Sequence, residues 1–407
     1  MGIEVGTDTS ITRFVLDSLI PDHPVLIEAD WGHVSYFNTA AMRRLGISEK
    51  EKDIPGGSFG RFAGTQVLNG RAYEEVCNAI RRKKPTTREL FRASLKDLAN
   101  TALYFGITSI QNMCTAAVPD SFIYALQGIS FPLRFRLIRW AEYGSNNQLL
   151  IPSKNTQGVA GLPLVKIFGT KWMLDGTPIE RFAELSVDYK DQPGWKGKMD
   201  FTPQQLHQII KEFQSRKDQP LFHVVGDQTI RNVLNELLQT PTAWQGRRIR
   251  FEHADGLLPD LVEQAKSLGI IVVQNPVHFT IASTLHQRYP DQLLQQTMPL
   301  KSLLRAGIPV ALGSDGPLNP FLNIMFACMH PVHPSEALTR EEAVRAYTQT
   351  AAYAEFEDNK GTLMPGQLAD LAVLSEDLFT VPLQQLPSLH SVLTMIDGKI
   401  VFTTMKK

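Results

Sequence analysis

From about residue 107 onward, short apolar or β-branched runs alternate with polar, helix-like stretches. The runs are GITSIQNM (106–113), FRLIRW (135–140), VKIFGTKWML (165–174), PLFHVV (220–225), RIRFEH (248–253), IIVVQN (270–275) and PVALGSD (309–315). They do not alternate apolar with polar, so each predicts a strand buried on both faces, as a parallel sheet requires. Between them, TPQQLHQIIKEFQSR (202–216) and PDLVEQAKSLG (259–269) read as amphipathic helices opened by Thr202 and Pro259, the second closed by Gly269. Seven such strands with helices between them predict an α/β chain of the (β/α)8 type, a TIM barrel one strand short of eight.

The flanks follow other patterns. HPVLIEAD (23–30) is strand-like, but the stretch after it, HVSYFNTAAMRRLGI and the turn-rich DIPGGSFGRFAG (53–64), reads as an inserted lobe. From Gly361 the character changes again. GTLMPGQLADLAVLSED and SVLTMIDGKIVF predict short antiparallel strands around turns, with Asp397-Gly398 as a hairpin signal. They form a small β-structure beside the barrel.

Composition narrows the function classes. With 43% hydrophobic and 20% charged residues, the chain has the makings of a sizeable core and is not largely disordered. Forty-one basic residues balance forty-one acidic ones without a basic stripe, which argues against a nucleic-acid partner. No run approaches the ~20 apolar residues of a membrane span. The start, MGIEVGTDTSITRF, lacks the pattern of a secretory signal, and Gly6 breaks the myristoylation pattern. Cys77, Cys114 and Cys328 are scattered and never in a CxxC pair, so they read as reduced thiols of a cytoplasmic protein.

The reactive groups of such a barrel sit where strands end. Lys171 lies in the third run, followed by Asp175 and Gly176; His223 lies in the fourth; Glu252-His253 ends the fifth; Gly313-Ser314-Asp315 ends the seventh. Two imidazoles, a carboxylate and a lysine therefore converge on one mouth. A divalent metal takes such N and O ligands, and a water whose pKa it lowers to ~7 is a nucleophile at neutral pH. Taken singly, each residue has a plainer reading: a hydrogen-bonded histidine, a salt-bridged lysine, a turn aspartate. His278, His286, His330 and His333 fall in loop-like stretches and read as surface residues.

The runs GTKWMLDG (169–176), FHVVGD (222–227), RFEHAD (250–255), VVQNPVH (272–278), ALGSDGP (311–317) and GQLADLAVL (366–374) together resemble the amidohydrolase superfamily. The resemblance is nearest to its family 3 branch, which includes N-substituted formamide deformylase. HPVLIEADWGHVSYFNTAAM (23–42) is similar to that branch's insertion before the second barrel strand. The resemblance implies residues 1–95 as the inserted lobe, 96–358 as barrel strands 2–8, and 359–407 as the C-terminal part of a small β-sandwich. It implies Lys171, His223, His253 and Asp315 as metal ligands, with Lys171 carboxylated by CO₂ and the metal a divalent ion, zinc first. It implies Asp315 as the group that takes a proton from the attacking water and returns it to the leaving amine. By weaker analogy, His33, Trp172 and Arg181 line the pocket of a small-molecule amide substrate.

One departure is large. The family's first barrel strand carries a His-x-His pair, and no H-x-H occurs here. With the first strand missing as well, the expectation is a chain that starts late, keeps at most one weakly held metal, and has impaired activity. Two bare sheet edges would make the chain poorly stable, or dependent on a second copy to cover them. The leading expectation is a metal-dependent hydrolase of non-peptide C–N bonds, amide or formamide. Two alternatives stand beside it: a non-catalytic remnant of the scaffold, and a lyase using Lys171 as a Schiff-base nucleophile.

Overall fold

The computed structural model describes residues 10–29, 31–84, 86–143, 149–150, 155–156 and 158–405. The N-terminal lobe is an antiparallel sheet of β1 (Leu26–Glu28), β2 (Val34–Phe37), β3 (Gly57–Arg61) and β4 (Leu68–Glu74), in the order β1-β2-β4-β3. Phe37, Met42, Leu68, Ala72, Val76 and Ile80 make its separate small core. Asn38 accepts from the backbone N–H of Ala41 at 2.9 Å and so caps the helix Thr39–Leu45 that covers the sheet.

The seven apolar runs form one parallel sheet: β5 (Ser109–Met113), β6 (Arg134–Trp140), β7 (Val165–Met173), β8 (Pro220–Val224), β9 (Arg250–His253), β10 (Ile271–Gln274) and β11 (Val310–Leu312). Spatial order follows chain order throughout. Alternation along each strand divides the residues. Phe222, Val224, Phe251, Val272 and Val310 join the layer of helices outside, packing with Ile209, Ile210, Phe213, Ile230 and Val233. Thr202 closes a capping box with Gln205 at the start of the helix Pro203–Ser215. Charged and polar side chains take the other face: Arg250 grips Glu252 at 2.8 and 3.1 Å and also reaches Gln111.

Among the described residues, the edge strands β5 and β11 do not pair with each other. One helical turn reaches both instead. Ala351 and Ala354 pack against Ile271, Val273 and Ala311, while Gln111 of β5 donates to the Ala351 carbonyl at 3.4 Å. Gln219 donates to the Ala354 carbonyl at 2.8 Å, and Arg248 to that of Tyr353 at 2.7 Å. Carbonyls left over at a helix C-terminus thus find donors on the barrel.

The chain ends in an antiparallel sheet of β12 (Leu371–Leu374), β13 (Ser391–Ile396) and β14 (Lys399–Thr403). Asp397 and Gly398, at φ 54° and 73°, make the predicted hairpin turn with both central residues left-handed. Thr394 donates to the Leu103 carbonyl at 2.8 Å, docking this sheet on the helix Arg88–Tyr104. No described helix is long and apolar enough to cross a membrane.

Candidate metal centre

The C-terminal ends of β8, β9 and β11 bring His223, His253 and Asp315 to one mouth. The backbone is bent to do so. His253, Ala254 and Asp315 have φ of 70°, 53° and 40°, a region that side-chain-bearing residues seldom adopt and that clusters at functional sites. The rings of His223 and His253 lie 4.5 Å apart, centroid to centroid, and His33 of the lobe stands 5.2 Å from His223 on the other side.

His278 joins this group, against the expectation of a surface residue. It sits half-buried in the 3-10 turn Pro276–Ile281 after β10, its ring stacked 5.3 Å from that of His253. Among the described residues, His253, His278 and Asp315 each offer a ligand atom within 4.8 Å of the other two. Asp315 Oδ2 is 3.7 Å from His253 Nε2 and 3.8 Å from His278 Nε2. His223 is not in that set, but its Nε2 is buried without a partner, as is Nδ1 of His253. An orphaned buried nitrogen costs about 1–3 kcal/mol unless something binds it, so the donor set fits a cation.

The electrostatics agree. Burial holds the His223 and His253 imidazoles well below their ordinary pKa, keeping them neutral with lone pairs free. Asp315 is 57% exposed yet crowded: desolvation pushes its carboxyl up, His253 and His278 pull it down, and the balance lies below the ordinary aspartate value. Lys171, 4% exposed, is brought down to about 8 by burial, with Glu252 and Asp315 opposing the shift.

Trp31 ties the lobe to the barrel, and two bonds within the lobe hold the loop that carries His33. Trp31 Nε1 donates to Glu180 at 2.6 Å, Arg81 donates to the Gly32 carbonyl at 2.7 Å, and His33 Nδ1 lies 2.6 Å from Glu74. Glu74 is 1% exposed and packs against Gly176, where an added Cβ would lie 2.2 Å from Glu74 Oε1. His33 therefore stands beside the barrel histidines.

The other two residues expected at the pocket lie elsewhere. Trp172 follows Lys171 on β7, so the period of two turns it to the opposite face. It is 0% exposed and packs edge-on against Phe201 at 5.6 Å within the core. Arg181 gives its guanidinium to Asp191, at 2.7 Å, which Arg288 also holds. His330, expected at the surface, is fully buried: its Nε2 lies 3.0 Å from the Met298 carbonyl and its Nδ1 accepts from the His333 N–H at 3.0 Å.

Comparison with known proteins matches residues 6–402 to the amidohydrolase family. YtcJ of Bacillus subtilis (strain 168), whose name places it among amidohydrolases, is 28% identical over 420 residues, 97% of this chain and 77% of that protein. The N-substituted formamide deformylase of Arthrobacter pascens is 23% identical over 419 residues, 95% of this chain and 75% of the relative. Among solved structures, an uncharacterized metal-dependent hydrolase from Pyrococcus horikoshii OT3 superposes with a TM-score of 0.71 at 20% identity, covering 92% of this chain and 75% of that one. That likeness shows the barrel fold.

Proposed function

The chain belongs to the amidohydrolase family, and from that premise we propose that it is a metal-dependent hydrolase of non-peptide C–N bonds in small amides or formamides. The observation that carries the proposal is the meeting of the neutral His223 and His253 imidazoles with the Asp315 carboxylate at the strand ends, on backbone bent to aim them. His253 and Asp315, with His223 and His278 beside them, would hold a divalent ion, zinc first. Bound there, such an ion supplies a Lewis acid for the acyl oxygen and an acidified water.

The chain's own groups do the rest. Asp315 is ionised and exposed enough to meet the attacking water; it takes one proton from it and gives that proton to the departing amine. Water adds to the acyl carbon, the C–N bond breaks, and acid and amine leave. Lys171, with its pKa near 8, keeps a neutral fraction that can add CO₂, and the resulting carbamate would place an anionic oxygen in the same mouth. His33 borders the space from the lobe side and touches bound substrate.

The test is direct. The purified chain, loaded with zinc, is assayed for amine release from a panel of N-substituted formamides and short N-acyl amides, alongside elemental analysis. Release that stops on chelation and returns on adding zinc is expected. A metal-loaded chain that releases no amine above background is instead a non-catalytic member of the scaffold.

A further inference from the structure

We propose that Glu74 is a positioning residue, which holds His33 so that its Nε2–H donates to the acyl oxygen of the bound amide. The inference rests on the reading that small amides are hydrolysed at this mouth, and it gives the N-terminal lobe a share in the chemistry.

The pair is built at a strained turn. Val34 and Tyr73 are register partners on β2 and β4, so His33 and Glu74 meet just beyond them. The Glu74 N–H donates to the His33 carbonyl at 3.0 Å and the side chains meet at 2.6 Å, so the two residues are joined twice. Glu74 has φ 55°, a conformation that strains side-chain-bearing residues and clusters at active sites. Gly57 makes room for the bend, since a Cβ there would lie 2.5 Å from the Val76 nitrogen. Glu75 then fixes the turn to the barrel. It accepts from Trp140 Nε1 at 2.6 Å, and Trp140 is the register partner of Lys171 on β7.

The unmet hydrogen-bonding atom decides how the pair is polarised. Oε1 of Glu74 is buried without a partner among the described residues. On an ionised carboxylate that oxygen would be an unpaired buried charge, which is very costly. A neutral acid avoids this, with its proton on Oε2 where Nδ1 of His33 accepts it. Burial lifts Glu74 well above the ordinary carboxylate range and holds His33 below its usual value, in agreement with that arrangement. A neutral imidazole that accepts at Nδ1 carries its hydrogen on Nε2.

The ring so fixed stands at the mouth. Ring contacts run from His33 to His223 at 5.2 Å and on to His253 at 4.5 Å, and Asp315 Oδ2 lies 3.7 Å beyond His253 Nε2. The proton carrier and the fixed donor therefore stand at opposite ends of this row. As water adds, the acyl oxygen gains charge, and a donor that needs no reorientation stabilises it. The ring gives a hydrogen bond and keeps its proton.

The experiment reads the ring and the turnover separately. The full chain carrying ¹⁵N-histidine is followed by ring N–H correlation NMR at neutral pH, with His33→Phe identifying the signals. Wild type and Glu74→Gln should show His33 with its hydrogen on Nε2, and Glu74→Met should lose that single form. Zinc-loaded chains are assayed on whichever panel amide is cleaved, with elemental analysis and circular dichroism of each variant. His33→Phe should lower kcat by ~10²- to 10³-fold, the size of one lost oxyanion donor, with zinc content and KM little changed. Glu74→Met should lower kcat by ~10- to 100-fold, the usual effect of losing an orienting partner. Glu74→Gln, whose amide N–H can replace the acid's proton at Nδ1, should recover it to within ~3-fold of wild type. A His33 hydrogen found on Nδ1, or a kcat that survives His33→Phe, overturns the inference and leaves the hydrolase proposal standing. So does zinc lost with His33→Phe, or a folded Glu74→Gln chain as slow as His33→Phe. A zinc-loaded wild type that cleaves no panel amide defeats both.

Discussion

Gly176→Ala should loosen the lobe from the barrel, and the size of the effect follows from the contact it makes. A Cβ at Gly176 would sit 2.2 Å from Glu74 Oε1 and 2.7 Å from Phe182 Cβ. Gly176 itself is not among the left-handed glycines, so the cost is steric alone. Glu74 has nowhere to retreat, being buried with its other oxygen on His33 Nδ1. Relief requires a movement of more than about 1 Å in closely packed surroundings, which costs about 1–3 kcal/mol. Loss of its hydrogen bond to His33, between groups that burial drives toward their uncharged forms, adds about 0.5–1.5 kcal/mol. Because part of each is recovered by relaxation, about 1–3 kcal/mol remains. Such a loss raises the population with the lobe undocked by roughly 5- to 150-fold, and native-state proteolysis at the lobe reads that population directly. Gly246→Ala, with no atom within 4 Å of the added methyl, is the matched control and should stay within ~0.5 kcal/mol of wild type. If Gly176→Ala is cleaved no faster than Gly246→Ala, the lobe is not held to the barrel through Glu74.

Trp172→Ala should cost about 3–5 kcal/mol in denaturant unfolding while leaving the zinc content found by elemental analysis alone, because the ring packs outside the barrel; lost metal with unchanged stability would reverse that placement. Asp315→Asn should lower turnover of whichever panel amide is cleaved by ~10²- to 10⁴-fold, read as kcat at saturating substrate, and an unchanged kcat would remove Asp315 as the proton carrier. Burial, with the Met298 carbonyl opposing, brings His330 down to about 4, below the ordinary value of 6.5. Between these values the unfolded chain binds the extra proton, so stability should fall as pH drops from 6.5 toward 4, by about 3 kcal/mol in all. His330→Gln should flatten that slope in urea titrations at successive pH values; a slope that survives must come from another group.

The barrel was legible because its strands are buried on both faces, and unbroken apolar runs such as IIVVQN announce that without any tertiary information. The capping box at Thr202 and the turn at Asp397-Gly398 are local devices, and they too appear where the residues predict them. Trp172 could have been placed by the same logic, since the period of two sends it away from Lys171. His278 could not be placed so easily. It lies four residues beyond the last residue of β10, and its approach to Asp315 depends on a 3-10 turn pinned at Val277 by Asn323, 46 positions further along the chain. A histidine shortly after Asn-Pro at a strand end is the one local signal for it. Arg181 was lost to a competitor: Asp191, ten residues on, claims its guanidinium. His330 adopts φ 44° at the end of the helix Pro320–Met329, which folds its ring inward onto Phe279, and no pattern of polar and apolar positions records that turn.

The hydrogen bond from Val277 to Asn323 joins the turn carrying His278 to the helix that starts just after Asp315. Two segments from different parts of the chain are thereby soldered into one piece, so neither moves alone. Escape of a captured ion then waits on the fraying of that whole piece, and a scavenger such as EDTA should strip it at a rate that levels off with scavenger concentration instead of climbing with it.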